Sequence, residues 1–507
     1  MLCRTYLPLL CAWAATAGWS WAQPWTPGAN LTNSPGGSYL AVNNAHSLAA
    51  YQDRLFLSWY DFPSNFGSKI VFMHYDGSQW SDTATVGYLG NSRLNNWYPS
   101  GTADAGGGFH LVWESNEFTT DIENYEIAYR SFRNNTWSGI TRLTQNSGPS
   151  TNPAIIISGD GRVFVFWQDR RGGLYRIYCR TYSGSSWGPE TVLGENPDYC
   201  GIPAAATFLG WPVVVWEDWS SGSFQIRFRR MTSAGWGTDS LISHSTLGAF
   251  SPAIACDNAG NVHVAWQDWS AVSSKIVYRR FSVPVGSQTG SWGGEQEVSS
   301  PGFRAESPVI ACRDTLTDIF WSDDRTGYYE IFRRGWNGVS WGQEERLTDL
   351  RTAAVLPGAV ADSRGNLHLV WSGDQPLAGY SPDIFLMSLW QNPWPGKGAP
   401  EAAAVPVCLV SHHPNPARSF SQIEYSVINT ANGPESPLPP QTDLRLEIYN
   451  ISGQLVRTLY SGLASEGRGT VRWDCRDSRG RRVSSGVYLA RLSSGGSRAT
   501  EKITVVR

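Results

Sequence analysis

An apolar run that closes on Trp, followed within three residues by an acid, recurs at Trp59, Trp113, Trp167, Trp216, Trp266, Trp321 and Trp371. The steps between them are 54, 54, 49, 50, 55 and 50 residues, a mean of 52. A Pro stands 13 or 14 residues before six of them, at Pro99, Pro153, Pro203, Pro252, Pro308 and Pro357. An Ile follows each by 10 to 14 residues, at Ile70, Ile127, Ile177, Ile226, Ile276, Ile331 and Ile384. Three markers that keep register define a structural repeat, and everything local has to be read inside it.

Within a copy, short apolar–polar runs are broken by turn residues. In the fifth copy Pro252-Ala253-Ile254-Ala255-Cys256 reads as a first strand, Asp257-Asn258-Ala259-Gly260 as a turn and Val262-His263-Val264-Ala265-Trp266 as a second strand. Residues 275–281 read as a third strand, and a fourth opens at Trp292. Pro suits the first position of a strand, where a missing N–H costs least. Four antiparallel strands per roughly 50 residues, seven times over, predict an all-β chain whose seven four-stranded blades form a β-propeller. The seventh copy has a third strand at 383–387 but no fourth, and the stretch 24–32 looks like an orphan fourth strand comparable with 341–348. The expected ring is therefore closed by the N-terminal strand, which leaves no long exposed edge. Six or eight blades would require a miscounted copy, and the first, which lacks the Pro, is the place for such an error.

Composition agrees with this picture. Of 507 residues 41% are hydrophobic and 16% charged, with 52 Gly and 29 Pro, which excludes a coiled coil, a helical bundle and a wholly disordered chain. Many of the 25 Trp sit at two repeated places, the end of the second strand and the start of the fourth (Trp80, Trp137, Trp187, Trp236, Trp292 and Trp341), as expected of flat side chains filling the wedge between twisted blades. The net charge of −3 is spread along the chain, so no nucleic-acid partner is expected.

Residues 1–22 read as a secretory signal peptide, with Arg4, an apolar stretch over about 6–17 and Ser20-Trp21-Ala22 resembling a cleavage site. That stretch is shorter than the ~20 residues a membrane span needs, and no transmembrane segment is expected after its removal. An exported location is therefore expected. Cys179, Cys200, Cys256, Cys312, Cys408 and Cys475 remain, without a C-x-x-C pair. Cys256 and Cys312 read as small apolar strand residues, and a Cys408–Cys475 disulfide is left open.

The repeated acids Asp61, Glu114, Asp169, Asp218, Asp268, Asp323 and Asp374 open the loop from second to third strand. Several have Arg or Trp beside them. Asp169, Arg170, Asp218, Trp219, Asp268, Trp269, Asp323 and Arg325 form the candidate ligand-binding set: carboxylate and guanidinium for sugar hydroxyls, indole for an apolar face. The competing reading is that the acids cap their own turns or pair with strand-three Arg. Arg130, Arg180, Arg229, Arg279 and Arg334 recur three residues after the Ile and read as scaffold salt bridges. His110, His263 and His368, each three residues before the Trp, read as packed strand residues. No phosphate loop, nucleophile elbow or zinc motif is present, and no catalytic residue, metal or cofactor is assigned.

The turns Gly77-Ser78-Gln79-Trp80, Gly184-Ser185-Ser186-Trp187 and Gly338-Val339-Ser340-Trp341 resemble the second half of the Asp-box of sialidase-like propellers, without its leading Asp. The resemblance covers about residues 24–390 and implies the architecture. A sialidase would also need three Arg for the substrate carboxylate, a Tyr nucleophile activated by a Glu, and an Asp acid. The family's Phe-Arg-Ile-Pro-like motif is absent, and Tyr329 and Glu330, neighbours on a strand, face opposite sides.

Residues 391–406 are rich in Pro, Ala and Gly and read as a linker; from 407 to 507 short alternating strands read as a small Ig-like β-sandwich. Pro414-Asn415-Pro416, Ile448-Tyr449-Asn450-Ile451-Ser452-Gly453, Trp473-Asp474, Asp477, Gly480, Ser485-Gly486-Val487-Tyr488 and Lys502 resemble the C-terminal sorting domain of type IX secretion and the related Ig-like domain of flagellar hook-capping proteins. Cys475 stands where that pattern usually has Gly. The resemblance implies export by secretion machinery across a bacterial outer membrane, then release or attachment to the outer membrane or cell surface, with removal of this domain. The leading expectation is an exported, non-enzymatic propeller binding glycan or protein through its top-face loops; the alternatives are a sialidase-like exo-glycosidase and a structural surface-layer component without a discrete ligand.

Overall fold

The computed structural model describes residues 25–389 and 407–506, less 27, 33, 35, 42–45, 63–66, 88–93, 195–197, 221, 284–289, 350–352, 374–381, 414–416, 428–442, 451–453, 464–466 and 495–496. The expected signal peptide and linker lie outside the described residues, as do Asp374 and Pro414-Asn415-Pro416. Two compact units separate at Pro393 and Trp394. No helix among the described residues is long and apolar enough to cross a membrane.

The first unit contains seven antiparallel sheets. The third is representative: Ser150–Ile157, Val163–Asp169, Arg176–Tyr182 and Thr191–Gly194 pair in chain order. First strands of successive sheets pack side by side, and Leu48–Tyr51 of the first sheet packs on Ala354–Ala361 of the seventh, closing the ring. The seventh sheet takes its fourth strand, Ala29–Asn30, from the N-terminal region, with Asn30 opposite Phe385 and Ala29 opposite Leu386.

The core is divided among the seams. Each of seven buried clusters joins two neighbouring sheets, and the one containing Leu57, Trp59, Val370 and Ile384 joins the first to the seventh. All seven second-strand Trp are at most 1% exposed. Fourth-strand Trp side chains reach the preceding sheet: Trp137 meets Phe72 at 4.9 Å, Trp187 meets Tyr129 at 5.0 Å and Trp341 meets Tyr278 at 5.0 Å, all edge to face. Trp25 meets Phe320 in the same manner at 5.9 Å, so it serves the seventh sheet as Trp341 serves the sixth.

The recurrent Pro differs from expectation. It stands inside the first strand at a β-bulge, and the residue before it is left-handed in six sheets: Tyr98, Asn152, Ile202, Ser251, Ser307 and Leu356 have φ between 48° and 55°. A bulge removes the ladder bond that Pro could not donate. The left-handed residue, disfavoured by roughly 1–2 kcal/mol for an L-amino acid, is pinned from the preceding sheet. Asn152 N donates to Glu114 Oε2 (2.8 Å), Ile202 N to Gln168 Oε1 (2.8 Å) and Ser251 N to Glu217 Oε1 (2.7 Å). In the first sheet two separate pieces, Ser38–Tyr39 and Leu48–Tyr51, take the first strand's place, where the Pro marker is missing.

The recurrent Arg are scaffold, though they form no salt bridge. Arg279 Nε donates to Gly293 O (2.6 Å) in its own sheet and Nη1 to Ile242 O (2.8 Å) in the preceding one; Arg130, Arg180, Arg229 and Arg334 repeat the arrangement. The fourth strand is short, and the fork satisfies carbonyls that its ladder leaves over. Arg279→Ala is expected to cost about 2 kcal/mol in urea unfolding, with Arg279→Lys recovering less than half because an ammonium cannot bridge two carbonyls in this geometry.

The second unit holds a three-stranded sheet (Val407–His413, Ser421–Val427, Gly467–Trp473) and a four-stranded one (Leu455–Leu463, Asp443–Asn450, Gly486–Ser494, Ser497–Val505). Ile423 and Trp473 from one sheet share a core with Leu446, Ile448, Ala490 and Ile503 from the other, the packing of a sandwich. In the turn after Trp473, Asp477 accepts the amides of Arg479 and Arg481. Cys475 has φ +53°, which accounts for the Gly usual at that place. Its buried thiol is free, so no disulfide forms there; the side chain of Cys408 lies outside the described residues.

Candidate ligand-binding face

The loops from second to third strand emerge beside the starts of the first strands, as the pairing of Asp169 with Ser150 shows. Strand alternation decides which loop residues are free. In three sheets the acid two residues after the Trp turns back and caps it: Asp61, Asp169 and Asp323 accept the indole N–H of Trp59 (2.6 Å), Trp167 (3.0 Å) and Trp321 (3.1 Å). Asp169 also accepts Ser150 Oγ (2.9 Å) and Arg171 Nη2 (2.6 Å). Asp323 receives Arg325 Nε at 2.8 Å, and Arg325 continues to Glu344. Asp218 receives Cys200 Sγ and Arg227 Nε (3.0 Å). Burial raises the pKa of Asp268. Four expected ligand groups, Asp169, Asp218, Asp323 and Arg325, are therefore engaged in the scaffold and turned away from solvent. Glu114 is one residue out of register with these acids, so its side chain lies on the other face of the strand and pins Asn152.

The position three residues after each Trp behaves differently. It holds Phe62, Asn116, Arg170, Trp219, Trp269 and Asp324 in the first six sheets. Arg170, Trp219 and Trp269 are exposed, the two indoles at 37% and 49%. Their backbones are fixed: Trp219 N donates to Tyr199 O (3.0 Å) and Trp269 N to Gly248 O (2.9 Å). Beneath them runs a chain of rings that sequence reading did not assemble. Tyr175 meets Tyr199 at 5.6 Å, Tyr199 meets Phe224 at 5.4 Å, Phe224 meets Trp219 at 4.9 Å and Phe250 at 5.0 Å, and Phe250 meets Trp269 at 5.7 Å. Arg170 lies over Tyr175 at 5.7 Å. Tyr175 and Phe224 both stand two residues before the strand-three Ile, a signal that comparison of the copies contains.

Tyr329 occupies the same position in the sixth sheet, with Glu306 and Arg304 beside it. Burial and the nearby carboxylate push its phenol up to about 12, and burial raises Glu306. The Glu beside Tyr329 is therefore Glu306 of the first strand, not its chain neighbour Glu330.

At the other end of the first strands an axial cavity of about 570 Å³ is lined mainly by Ala, Ile and Val from all seven sheets. The three expected strand His sit toward that end. His110, His263 and His368 each place Nε2 beside a turn carboxylate (Asp104 3.2 Å, Asp257 3.1 Å, Asp362 3.4 Å) and Nδ1 beside a hydroxyl (Tyr129, Tyr278, Ser388, each 2.8 Å).

The FlgD Ig-like domain family matches residues 435–497. Among curated proteins no relative matches the chain. Of solved structures, a PL25 ulvan lyase is similar at 11% identity and a TM-score of 0.52, covering 72% of this chain and 95% of its own. A PL25 ulvan lyase bound to -[GlcA(1-4)Rha3S]- gives 12%, 0.51 and the same coverage. PorZ, a surface component of the type IX secretion system of Porphyromonas gingivalis, gives 13% and 0.39, covering 92% of this chain and 60% of its own. At these identities the likeness is one of fold: an all-β chain of blade-like four-stranded sheets, followed by a segment that matches the FlgD Ig-like domain.

Proposed function

We propose that this chain is an exported surface or secreted protein that binds glycan through the second-to-third-strand face of its propeller, with residues 407–507 serving type IX-like export and attachment. One observation carries the binding reading. At positions that build the scaffold the copies agree, whereas three residues past the Trp they diverge, and there two adjacent sheets present rigid, exposed indoles. Burial is the default for indole, and an exposed, backbone-clamped pair costs little entropy to order on a ligand. Stacked aromatic platforms with polar neighbours suit the apolar faces and hydroxyls of sugars. On a glycan array the mature chain is expected to bind a discrete glycan set, and Trp219→Ala or Trp269→Ala to weaken binding about tenfold each with unchanged melting temperature. Absence of any glycan signal would favour a structural surface component.

A second reading, a sialidase-like exo-glycosidase, draws on the proximity of Tyr329 to Glu306 and Arg304. A fluorogenic glycoside screen tests it: turnover abolished by Tyr329→Phe would establish it, and no turnover leaves the binding reading.

A further inference from the structure

The two exposed indoles are joined by an unbroken path of rings. From Trp219 through Phe224 and Phe250 to Trp269 the centroid steps are 4.9, 5.0 and 5.7 Å, so the indoles stand at most about 16 Å apart. A pyranose with its glycosidic oxygen, a few covalent bonds long, advances a chain by roughly 5 Å. A segment of at most three or four sugar units therefore reaches from one platform to the other. The flanking groups do not favour an ionic ligand: Arg170 lies on the Trp219 side, on the third sheet, and Asp324 on the Trp269 side, on the sixth, where it also accepts Arg304 N at 2.8 Å.

Resting on the reading above, we propose that the ligand is a neutral, linear, equatorially linked oligosaccharide segment of two to four units, laid across the fourth and fifth sheets with Trp219 and Trp269 as its two stacking subsites. Equatorial linkage suits two separate platforms because it keeps the chain extended, with a C–H face on each ring for an indole to cover. Neither platform needs a chain end, so an internal stretch of polysaccharide binds as well as a free oligomer.

The test is calorimetric titration of the full mature chain with β-1,4-linked gluco-, xylo- and N-acetylglucosamine oligomers of one to six units. In at least one series affinity is expected to rise at least tenfold from the monomer to the tetramer and then level off. Trp219→Ala and Trp269→Ala should each flatten that dependence, while Trp219→Tyr restores part of it, which a merely structural role would not do. Equal affinity for monomer and tetramer, or a continued rise to six units, overturns the two-subsite geometry while leaving glycan binding intact. Tighter binding of oligogalacturonate, lost in Arg170→Ala, overturns the neutral assignment. Array binding to glycans without any response in these three series overturns the equatorial linkage, and a blank array overturns the underlying reading instead.

Discussion

Removing residues 25–32 is expected to cost the propeller more stability than any single substitution in its core. This stretch supplies the fourth strand of the seventh sheet, with Thr26 N donating to Ser388 O and Leu31 N to Ile384 O, both at 2.8 Å. Asn30 Nδ2 and Thr32 Oγ1 each donate to the buried Asp383 at 2.9 Å. Trp25 covers Phe320 and lies under Arg333. Without them Asp383 loses two donors, a penalty of about 1–3 kcal/mol, and the packing of a half-buried indole is forfeited at a further few kcal/mol. Asp383–Leu389 becomes a bare edge open to pairing with other chains. A total of about 5 kcal/mol lowers the melting temperature of a domain this large by on the order of 10 °C. Calorimetry should show that shift with a broadened, concentration-dependent transition, and a synthetic peptide of residues 25–32 should reverse it. A truncated protein that melts like its parent would mean the ring is held by the other seams alone.

The ring was legible in the sequence because every copy answers the same geometric demand, so Trp, Pro and Ile recur at matching places and the orphan strand near Trp25 has one vacant partner. Side-chain roles were less legible. The Pro was read by its missing N–H alone, which suits a strand start and a bulge equally; the bulge wins because the preceding sheet offers Gln168 or Glu217 to hold its left-handed residue. The strand-three Arg suggested ion pairs because charge is what a sequence displays, whereas their partners, such as Ile242 O and Gly293 O, are backbone atoms that no residue type announces. For the candidate face, counting two against three residues past the Trp separates Asp169 from Arg170, a distinction alternation permits but clustering by composition hides. The ring path could not be foreseen, since Phe224 and Phe250 meet across a seam.

Glu114→Gln and Glu217→Gln are expected to leave stability nearly unchanged at pH 5 and to raise it strongly at pH 9. Each Glu is almost fully buried, 2% and 4% exposed, and each accepts the amide of a left-handed residue in the next sheet. Burial pushes Glu114 up to about 8 and Glu217 to about 7. Below the unfolded value of 4.5 both folded and unfolded chains hold the proton, and the contribution to stability is complete. As pH rises the unfolded chain ionises first, so stability is lost progressively until the folded carboxyl ionises too, near pH 8 for Glu114 and pH 7 for Glu217. At about 1.4 kcal/mol per unit the loss is on the order of 3–5 kcal/mol for each residue. The equivalent residue of the third sheet, Gln168, already performs the task without a titratable group, receiving Ile202 N and donating to Thr151 Oγ1 at 2.9 Å. The two Glu lie on different seams, so the gains in the double variant should add, as urea unfolding at pH 5, 7 and 9 would show. Glu217→Ala, which removes the acceptor, should destabilise at every pH. Ser251, held by Glu217, adjoins Phe250, whose ring links Phe224 to Trp269. Ionisation at that seam therefore disturbs the floor beneath the exposed indoles, and glycan affinity should fall as the pH rises through about 7 in the parent chain while staying level in Glu217→Gln.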